Sequence, residues 1–173
     1  MGKISKRLKV VLGVADVWGA RKGLFDFIEL REKLDDNYLI VLVGVTDKIQ
    51  KMLPNGILGI KRTQNQQELA RIYAVADLFV NLIYEDNYPT TNLEAMACGT
   101  PVLIYRTGGS VEAITDETGW IVQKGDIDSA VQIIKSSGCK TSAISEACRM
   151  RAIKYFDKNR SFDNYVSLYL DKS

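Results

Sequence analysis

Short runs of apolar residues alternate along this chain with longer segments whose apolar residues recur at helical spacing. The short runs predict buried strands at residues 10–14, 39–45, 57–60, 78–82, 101–105 and 119–122. The intervening segments predict helices at residues 22–34, 47–53, 66–76, 110–114 and 127–135, a short helix starting near residue 90, and one or two more within 142–169. Regular alternation of strands and helices is typical of an α/β fold with a parallel sheet. In such folds the crossovers are right-handed and helices cover both faces of the sheet.

The chain reads as a single domain over residues 1–173, because neither an internal repeat nor a linker-like stretch divides it. Residues 1–8 are a basic lead-in to the first strand. Residues 142–173 are expected to form C-terminal helices, with Ser161 as a possible cap between two of them. At this length one sizeable hydrophobic core is feasible.

Composition excludes several kinds of function. The chain contains no histidine, which excludes a Ser-His-Asp triad, a Cys-His pair and a histidine-ligated zinc site within it. The net charge of +2 gives no footprint of nucleic-acid binding. No apolar run is long enough for a membrane-spanning helix, and the three cysteines lack the spacing of metal ligands. We therefore expect a cytoplasmic protein with reduced cysteines and no bound metal.

Polar side chains gather where the fourth predicted strand ends. They are Glu85, Asp86, Asn87, Thr90, Thr91 and Asn92. Ligands of open parallel sheets bind in the crevice outside the carboxyl ends of the strands. Carboxylates and hydroxyls beside a helix N-terminus suit a ligand that carries both phosphate and sugar hydroxyls.

Two further turns contain candidate phosphate-binding residues. Arg21 and Lys22 follow the first predicted strand and precede Gly23, at the start of a helix. A cation beside a helix N-terminus can meet an anionic phosphate, although solvated first-turn residues would give the same pattern. Gly108 and Gly109 follow the fifth strand, where they either let the backbone approach a ligand or simply make a tight turn.

Glu94 has two interpretations. Thr91 and Glu94 match the Thr-x-x-Glu capping box, in which the carboxylate serves the helix N-terminus. Alternatively, the carboxylate accepts hydrogen bonds from the vicinal hydroxyls of a ribose.

Taken together, these residues resemble the C-terminal, nucleotide-sugar-binding domain of GT-B glycosyltransferases, specifically glycosyltransferase family 4. The segments that carry the resemblance are RKG at 21–23, LVGV at 42–45, ELARIYAVADLFVN at 68–81, EDNYPTTNLEAMACGTPV at 85–102, TGGSVEAI at 107–114 and TGWIVQKGD at 118–126. The resemblance implies a Rossmann-like doubly wound parallel sheet of about six strands, which is one half of a GT-B fold.

The resemblance also implies roles for individual residues. Lys22 would neutralise the donor diphosphate, with Arg21 beside it, and Glu94 would bind the ribose. The loop at Thr90, Thr91 and Asn92 would approach the distal phosphate and the transferred sugar. The loop after the third strand would line the base, with Arg62 and Thr63 as the favoured contacts.

The first acidic residue of the family's E-x7-E motif departs from the pattern. The position eight residues before Glu94 is Asp86, and Glu85 lies one residue earlier. Either of the two would take the catalytic role beside the transferred sugar.

The sequence thus predicts the donor-binding domain of a retaining glycosyltransferase of bacterial polysaccharide or glycoconjugate assembly. It would transfer a hexose-type sugar from a nucleotide-diphosphate sugar to an acceptor hydroxyl, without a metal cofactor. The acceptor-binding N-terminal domain of a GT-B enzyme is missing, so we expect either a piece of a longer enzyme or a natural subunit. Membrane contact at the inner face, if any, would involve the missing half. The alternative functions are a non-catalytic nucleotide-binding or assembly subunit, and a nucleotide-sugar epimerase of similar fold.

Overall fold

In the part of the chain that the structure describes, six parallel strands form one sheet at the centre of the molecule. The structure, a computed structural model, describes residues 7–85, 90–137 and 140–158. The strands are β1 (Lys9–Val14), β2 (Tyr38–Val43), β3 (Ile57–Ile60), β4 (Leu78–Asn81), β5 (Val102–Tyr105) and β6 (Gly119–Val122). Their order in the sheet is β3-β2-β1-β4-β5-β6, and every neighbouring pair is parallel. The predicted fold class is confirmed, and all six predicted strands are present.

Within the described ranges, six α-helices connect or flank the strands. They are α1 (Leu24–Lys33), α2 (Asp47–Gln50), α3 (Gln66–Val75), α4 (Thr90–Ala97), α5 (Ile127–Ser136) and α6 (Ser142–Lys158). The proposed cap at Ser161 and the part of the C-terminal segment after residue 158 lie outside the described residues, as do residues 1–6 of the basic lead-in.

Three predicted helices differ from the expectation. The helix predicted over residues 47–53 ends at Gln50. The helix predicted over residues 22–34 begins instead as a 3-10 turn at Ala20–Lys22, and α1 starts only after Gly23. Gly23 has φ of 75°, a left-handed conformation that ends the turn. The helix predicted over 110–114 is a 3-10 helix at Gly108–Ala113.

The apolar strands are buried on both faces, which explains why they appear in the sequence as continuous apolar runs. In β4, Leu78 and Val80 point into one core cluster, while Phe79 points into the other. Apolar residues of α1 and α5 complete the first cluster, and those of α3, α4 and α6 complete the second. The helices therefore cover both faces of the sheet, as predicted.

Side-chain caps fix where several helices begin. The Thr46 hydroxyl accepts a hydrogen bond of 3.3 Å from the Ile49 amide and so caps α2. Asn65 caps α3 and Asp126 caps α5 in the same way.

The strand order reverses between β1 and β4. β1 pairs with β2 on one side and with β4 on the other. The loops that leave the carboxyl ends of β1 and β4 consequently diverge to opposite faces and leave a crevice between them. This crevice adjoins most of the candidate residues.

Candidate functional site

The loop after β1 forms the first wall of the crevice. Residues 16–22 line a cavity of about 470 Å³. The Trp18 indole anchors this loop, since its Nε1 donates to the Val43 carbonyl over 2.9 Å and its ring packs edge-on against Phe27. Arg21 is exposed and Lys22 is half-buried. A firmly held backbone therefore presents both predicted cations at the crevice.

This loop also touches the segment that follows β4. A Cβ on Gly23 would lie 2.4 Å from the Leu82 carbonyl oxygen, so only glycine permits the close approach seen here. The Tyr84 amide donates to the Arg21 carbonyl over 3.0 Å. The structure thus brings the predicted phosphate-binding turn against the start of the acidic loop.

The first turn of α4 forms the second wall. The helix begins at Thr90, which is exposed, and Thr91 is half-buried in its first turn. Free amide groups at a helix N-terminus, together with the helix dipole, favour an anion there. Thr91 lies inside the helix rather than at its cap, so the capping-box interpretation of Glu94 as the partner of Thr91 is wrong.

Asn92 has a structural contact that the sequence did not predict. Its side chain is only 1% exposed, and its Oδ1 accepts a hydrogen bond of 2.8 Å from Nδ2 of Asn81. Its own Nδ2 has no hydrogen-bond partner among the described residues. The pair connects the end of β4 to the first turn of α4. The predicted contact of Asn92 with a ligand stays a prediction.

Glu94 is a buried carboxylate, with 9% of its surface exposed. The Tyr73 hydroxyl donates to its Oε2 over 3.2 Å, and the Thr90 hydroxyl is a second hydrogen-bond partner. Burial raises the pKa of Glu94 above its ordinary value, while the hydrogen bonds to Tyr73 and Thr90 oppose that rise. The ion pairs within the described ranges do not include Glu94. Among the residues that the structure describes, its charge is therefore supported by hydroxyl groups and by no cation.

The remaining predicted residues lie further apart. Arg62 and Thr63 follow β3, at the same edge of the sheet but two strands away from β1. In the part of the chain that the structure describes, no hydrogen bond joins them to the loops after β1 or β4. Glu85 is exposed just beyond β4. Asp86 lies outside the described residues.

Sequence reasoning missed several residues that support the site. Tyr73 is a buried tyrosine at helical spacing in α3, and in the sequence it looks like any core residue. Asn81 carried a usable signal, since it is a polar residue closing an otherwise apolar strand. Asp26 and Tyr105, which bind each other over 2.8 Å, are far apart in sequence and gave no signal.

The fold and this crevice define a Rossmann-like α/β domain with its ligand crevice at the point where the strand order reverses. The chain belongs to the family described as glycosyl transferases group 1, whose model matches residues 4–137. This finding confirms the resemblance identified in the sequence.

Named relatives agree with the family. The chain is 30% identical over 111 residues to N-acetyl-alpha-D-glucosaminyl L-malate synthase of Bacillus anthracis, covering 61% of this chain and 29% of that protein. It is 24% identical over 173 residues to N,N'-diacetylbacillosaminyl-diphospho-undecaprenol alpha-1,3-N-acetylgalactosaminyltransferase of Campylobacter jejuni, covering 96% of this chain and 45% of that protein. The chain thus spans less than half the length of these relatives.

Solved structures share the fold. Sucrose-phosphate synthase from Thermosynechococcus elongatus matches with a TM-score of 0.78 and 21% identity, over 94% of this chain and 44% of that one. Anabaena HepE, crystallised with UDP-glucose, matches with a TM-score of 0.72 and 18% identity, over 95% of this chain and 49% of that one. At these identities the likeness shows the fold alone. None of the described helices is long and apolar enough to cross a membrane.

Proposed function

We propose that this chain is the donor-binding part of a glycosyltransferase and holds a nucleotide-diphosphate sugar in the crevice between the β1 loop and α4. The observation that carries the proposal is Glu94, a buried carboxylate whose two described hydrogen-bond partners are hydroxyl groups. Burying such a charge without a cation costs stability, and perturbed carboxylates of this kind cluster at functional sites. Family membership supplies the chemical class of the ligand.

The two walls of the crevice suit the two halves of such a ligand. Lys22 and Arg21 on one side, with the first-turn amides of α4 on the other, favour a diphosphate. The Glu94 carboxylate would accept hydrogen bonds from the ribose hydroxyls, since only one of its oxygens, Oε2, receives Tyr73. In the reaction, the same positive groups would stabilise the charge that develops on the leaving diphosphate.

The complete reaction needs more chain than this one. Because the chain spans less than half of its relatives, we propose that an N-terminal domain binds the acceptor and completes the cleft. The proposed chemistry is retaining transfer of a hexose-type sugar to an acceptor hydroxyl, without a metal cofactor. The Campylobacter relative, named for transfer to a diphospho-undecaprenol sugar, supports a role in bacterial glycoconjugate assembly. Contact with the inner face of the membrane would then come from the missing half.

Calorimetric titration with UDP, GDP, ADP and the matching nucleosides, with and without magnesium, tests the donor site. UDP is the first probe because HepE was crystallised with UDP-glucose. We expect one diphosphate to bind independently of magnesium. Lys22→Ala should weaken that diphosphate about tenfold, which is ~1.4 kcal/mol, and should leave the nucleoside unchanged. Glu94→Gln should weaken both.

Lys9→Ala is the matched control, because Lys9 lies at the opposite, amino end of the strand that leads to Lys22. It should not change any affinity. If Lys22→Ala lowers the affinity for diphosphate and nucleoside equally, Lys22 does not bind the phosphate groups. A folded parent chain that binds none of the diphosphates refutes the proposed function.

The second candidate is a non-catalytic nucleotide-binding subunit. The spacing of the acidic pair favours it, because the position eight residues before Glu94 holds Asp86 instead of the glutamate of the family motif. Transfer assays on the longer protein decide between the two. Sugar transfer that is lost in Glu85→Gln or in Asp86→Asn excludes the subunit, whereas nucleotide binding without transfer supports it.

A further inference from the structure

Three side chains from separate segments meet beside the β1 loop. They are Asp26 in the first turn of α1, Tyr84 just after β4, and Tyr105 at the end of β5. The Tyr105 hydroxyl donates to Oδ2 of Asp26 over 2.8 Å. The Tyr84 hydroxyl is a further hydrogen-bond partner of both, and the two tyrosine rings pack edge-to-face with centroids 5.5 Å apart.

The cluster is protected from solvent on the side of the core. Tyr105 is 1% exposed, while Tyr84 and Asp26 are half-buried. Burial and the Asp26 carboxylate both raise the pKa of Tyr105, so its hydroxyl remains a protonated donor at neutral pH. Hydrogen bonds to an ionised carboxylate are stronger than those between neutral groups.

Two of the three members are attached to the β1 loop, the first wall of the crevice. Asp26 belongs to the helix turn that follows Gly23 directly, where the Phe27 amide donates to the Gly23 carbonyl over 3.0 Å. Tyr84 immediately precedes Glu85, and its amide donates to the Arg21 carbonyl over 3.0 Å. Tyr84 is held from its other side by Lys124, whose Nζ lies 5.9 Å from the ring centroid and 3.4 Å from the Tyr84 carbonyl oxygen.

We propose that Asp26, Tyr84 and Tyr105 form a positioning cluster that fixes the Arg21–Gly23 turn relative to the segment Leu82–Tyr84 after β4, and thereby sets affinity for a nucleoside diphosphate. The inference rests on the proposed function for its ligand. None of the three is placed against the ligand, so they act through the backbone that carries Lys22. Small displacements of positioned groups are costly, and an error of about 1 Å can change a rate about a hundredfold.

Hydroxyl deletion tests the cluster. Tyr105→Phe keeps the ring and removes the donor, and calorimetry with UDP, GDP, ADP and their nucleosides is the assay. We expect about tenfold weaker diphosphate binding, with the nucleoside affinity unchanged within twofold. Asp26→Asn keeps an acceptor oxygen for Tyr105 and should retain most of the affinity. Tyr38→Phe, at a buried tyrosine at the amino end of β2, is the matched control and should change neither.

The proposal is overturned if Tyr105→Phe weakens the affinity for diphosphate and nucleoside equally, or if it changes neither affinity. Tyr84→Phe repeats the test at a half-buried position and replaces Tyr105→Phe if that variant does not fold.

Hydrogen exchange gives a readout that needs no ligand. In Tyr105→Phe the Tyr84 amide should exchange at least about tenfold faster, while the Val41 amide in the centre of β2 keeps its rate. An unchanged rate at Tyr84 overturns the cluster even if the parent chain binds no nucleotide. Failure of the parent to bind refutes the proposed function separately.

Discussion

Removing the Tyr73 hydroxyl should reveal how the charge of Glu94 is supported. Tyr73 is fully buried, and its hydroxyl is one of two described donors to a carboxylate that is itself 9% exposed. Hydrogen bonds to charged groups contribute about 1.5–3 kcal/mol. The 3.2 Å distance is longer than that of a strong O–H···O⁻ bond, which places this one at the lower end. We therefore expect Tyr73→Phe to reduce the free energy of unfolding by ~1.5 kcal/mol at pH 7.

The loss should depend on pH and on Glu94. A loss of that size lowers Tm by about 3–6 °C in a domain of this length. The bond to Tyr73 lowers the pKa of Glu94, so its removal raises that pKa further. The added cost falls on the charged form, so the difference between variant and parent should be full above the raised pKa values of the two folded proteins. It should shrink as the pH falls through them toward the ordinary value of 4.5.

Thermal unfolding between pH 4 and 8, repeated in a Glu94→Gln background, is the assay. A neutral amide makes a weaker hydrogen bond, so the Tyr73→Phe loss should be smaller there. The reasoning is refuted if the loss is the same in both backgrounds or is independent of pH. Tyr38→Phe controls for deletion of a buried phenol at a distance from the site.

Three further changes have clear expected outcomes. Glu94→Gln alone should raise Tm at pH 7, because burial raises the pKa of the parent carboxyl and the cost of its charge is present above that pKa. The gain in Tm should disappear when the pH falls below 4.5. A lower Tm at pH 7 would contradict the argument that the buried charge is uncompensated. Gly23→Ala should lower the free energy of unfolding by about 1–3 kcal/mol and abolish diphosphate binding. The reason is that the φ of Gly23 is 75° and the added Cβ would lie 2.4 Å from the Leu82 carbonyl oxygen. Unchanged thermal unfolding and calorimetric titration would show that diphosphate binding does not need this turn. Burial raises the pKa of both Cys98 and Cys148 to about 12, so a thiolate-selective reagent should leave both unmodified until the protein unfolds. Mass spectrometry measures the labelling. Labelling of either cysteine in the native protein would refute the prediction.

Much of the fold was predictable because the signals are local. Strands buried on both faces appear as apolar runs, and β3 and β6 begin and end at the predicted residues. The carboxyl-edge location of the candidate residues followed from the parallel topology, since all such strands end at the same edge. The cap at Thr46 was likewise a local feature of the sequence.

The differences arise where distant residues decide the conformation. The turn before α1 ends at Gly23, which packs against Leu82, and no local pattern encodes this contact between the segments that follow β1 and β4. The buried state of Asn92 depends on Asn81, which lies on the neighbouring strand end. The hydrogen bonds from Tyr73 to Glu94 and from Tyr105 to Asp26 likewise join residues that are far apart in sequence.

The reversal of strand order between β1 and β4 also affects how the chain folds during its synthesis. Val10 and Asp77, which are joined where these strands pair, are 67 residues apart. At about 5–20 residues per second of synthesis, ~3–13 s pass between the emergence of β1 and of its second neighbour. During that interval β1 has an open hydrophobic edge to which other nascent chains can bind. Nucleotide cannot protect it, because half of the crevice has not been translated. Yield of folded protein should therefore depend on translation rate and chaperone supply rather than on added ligand.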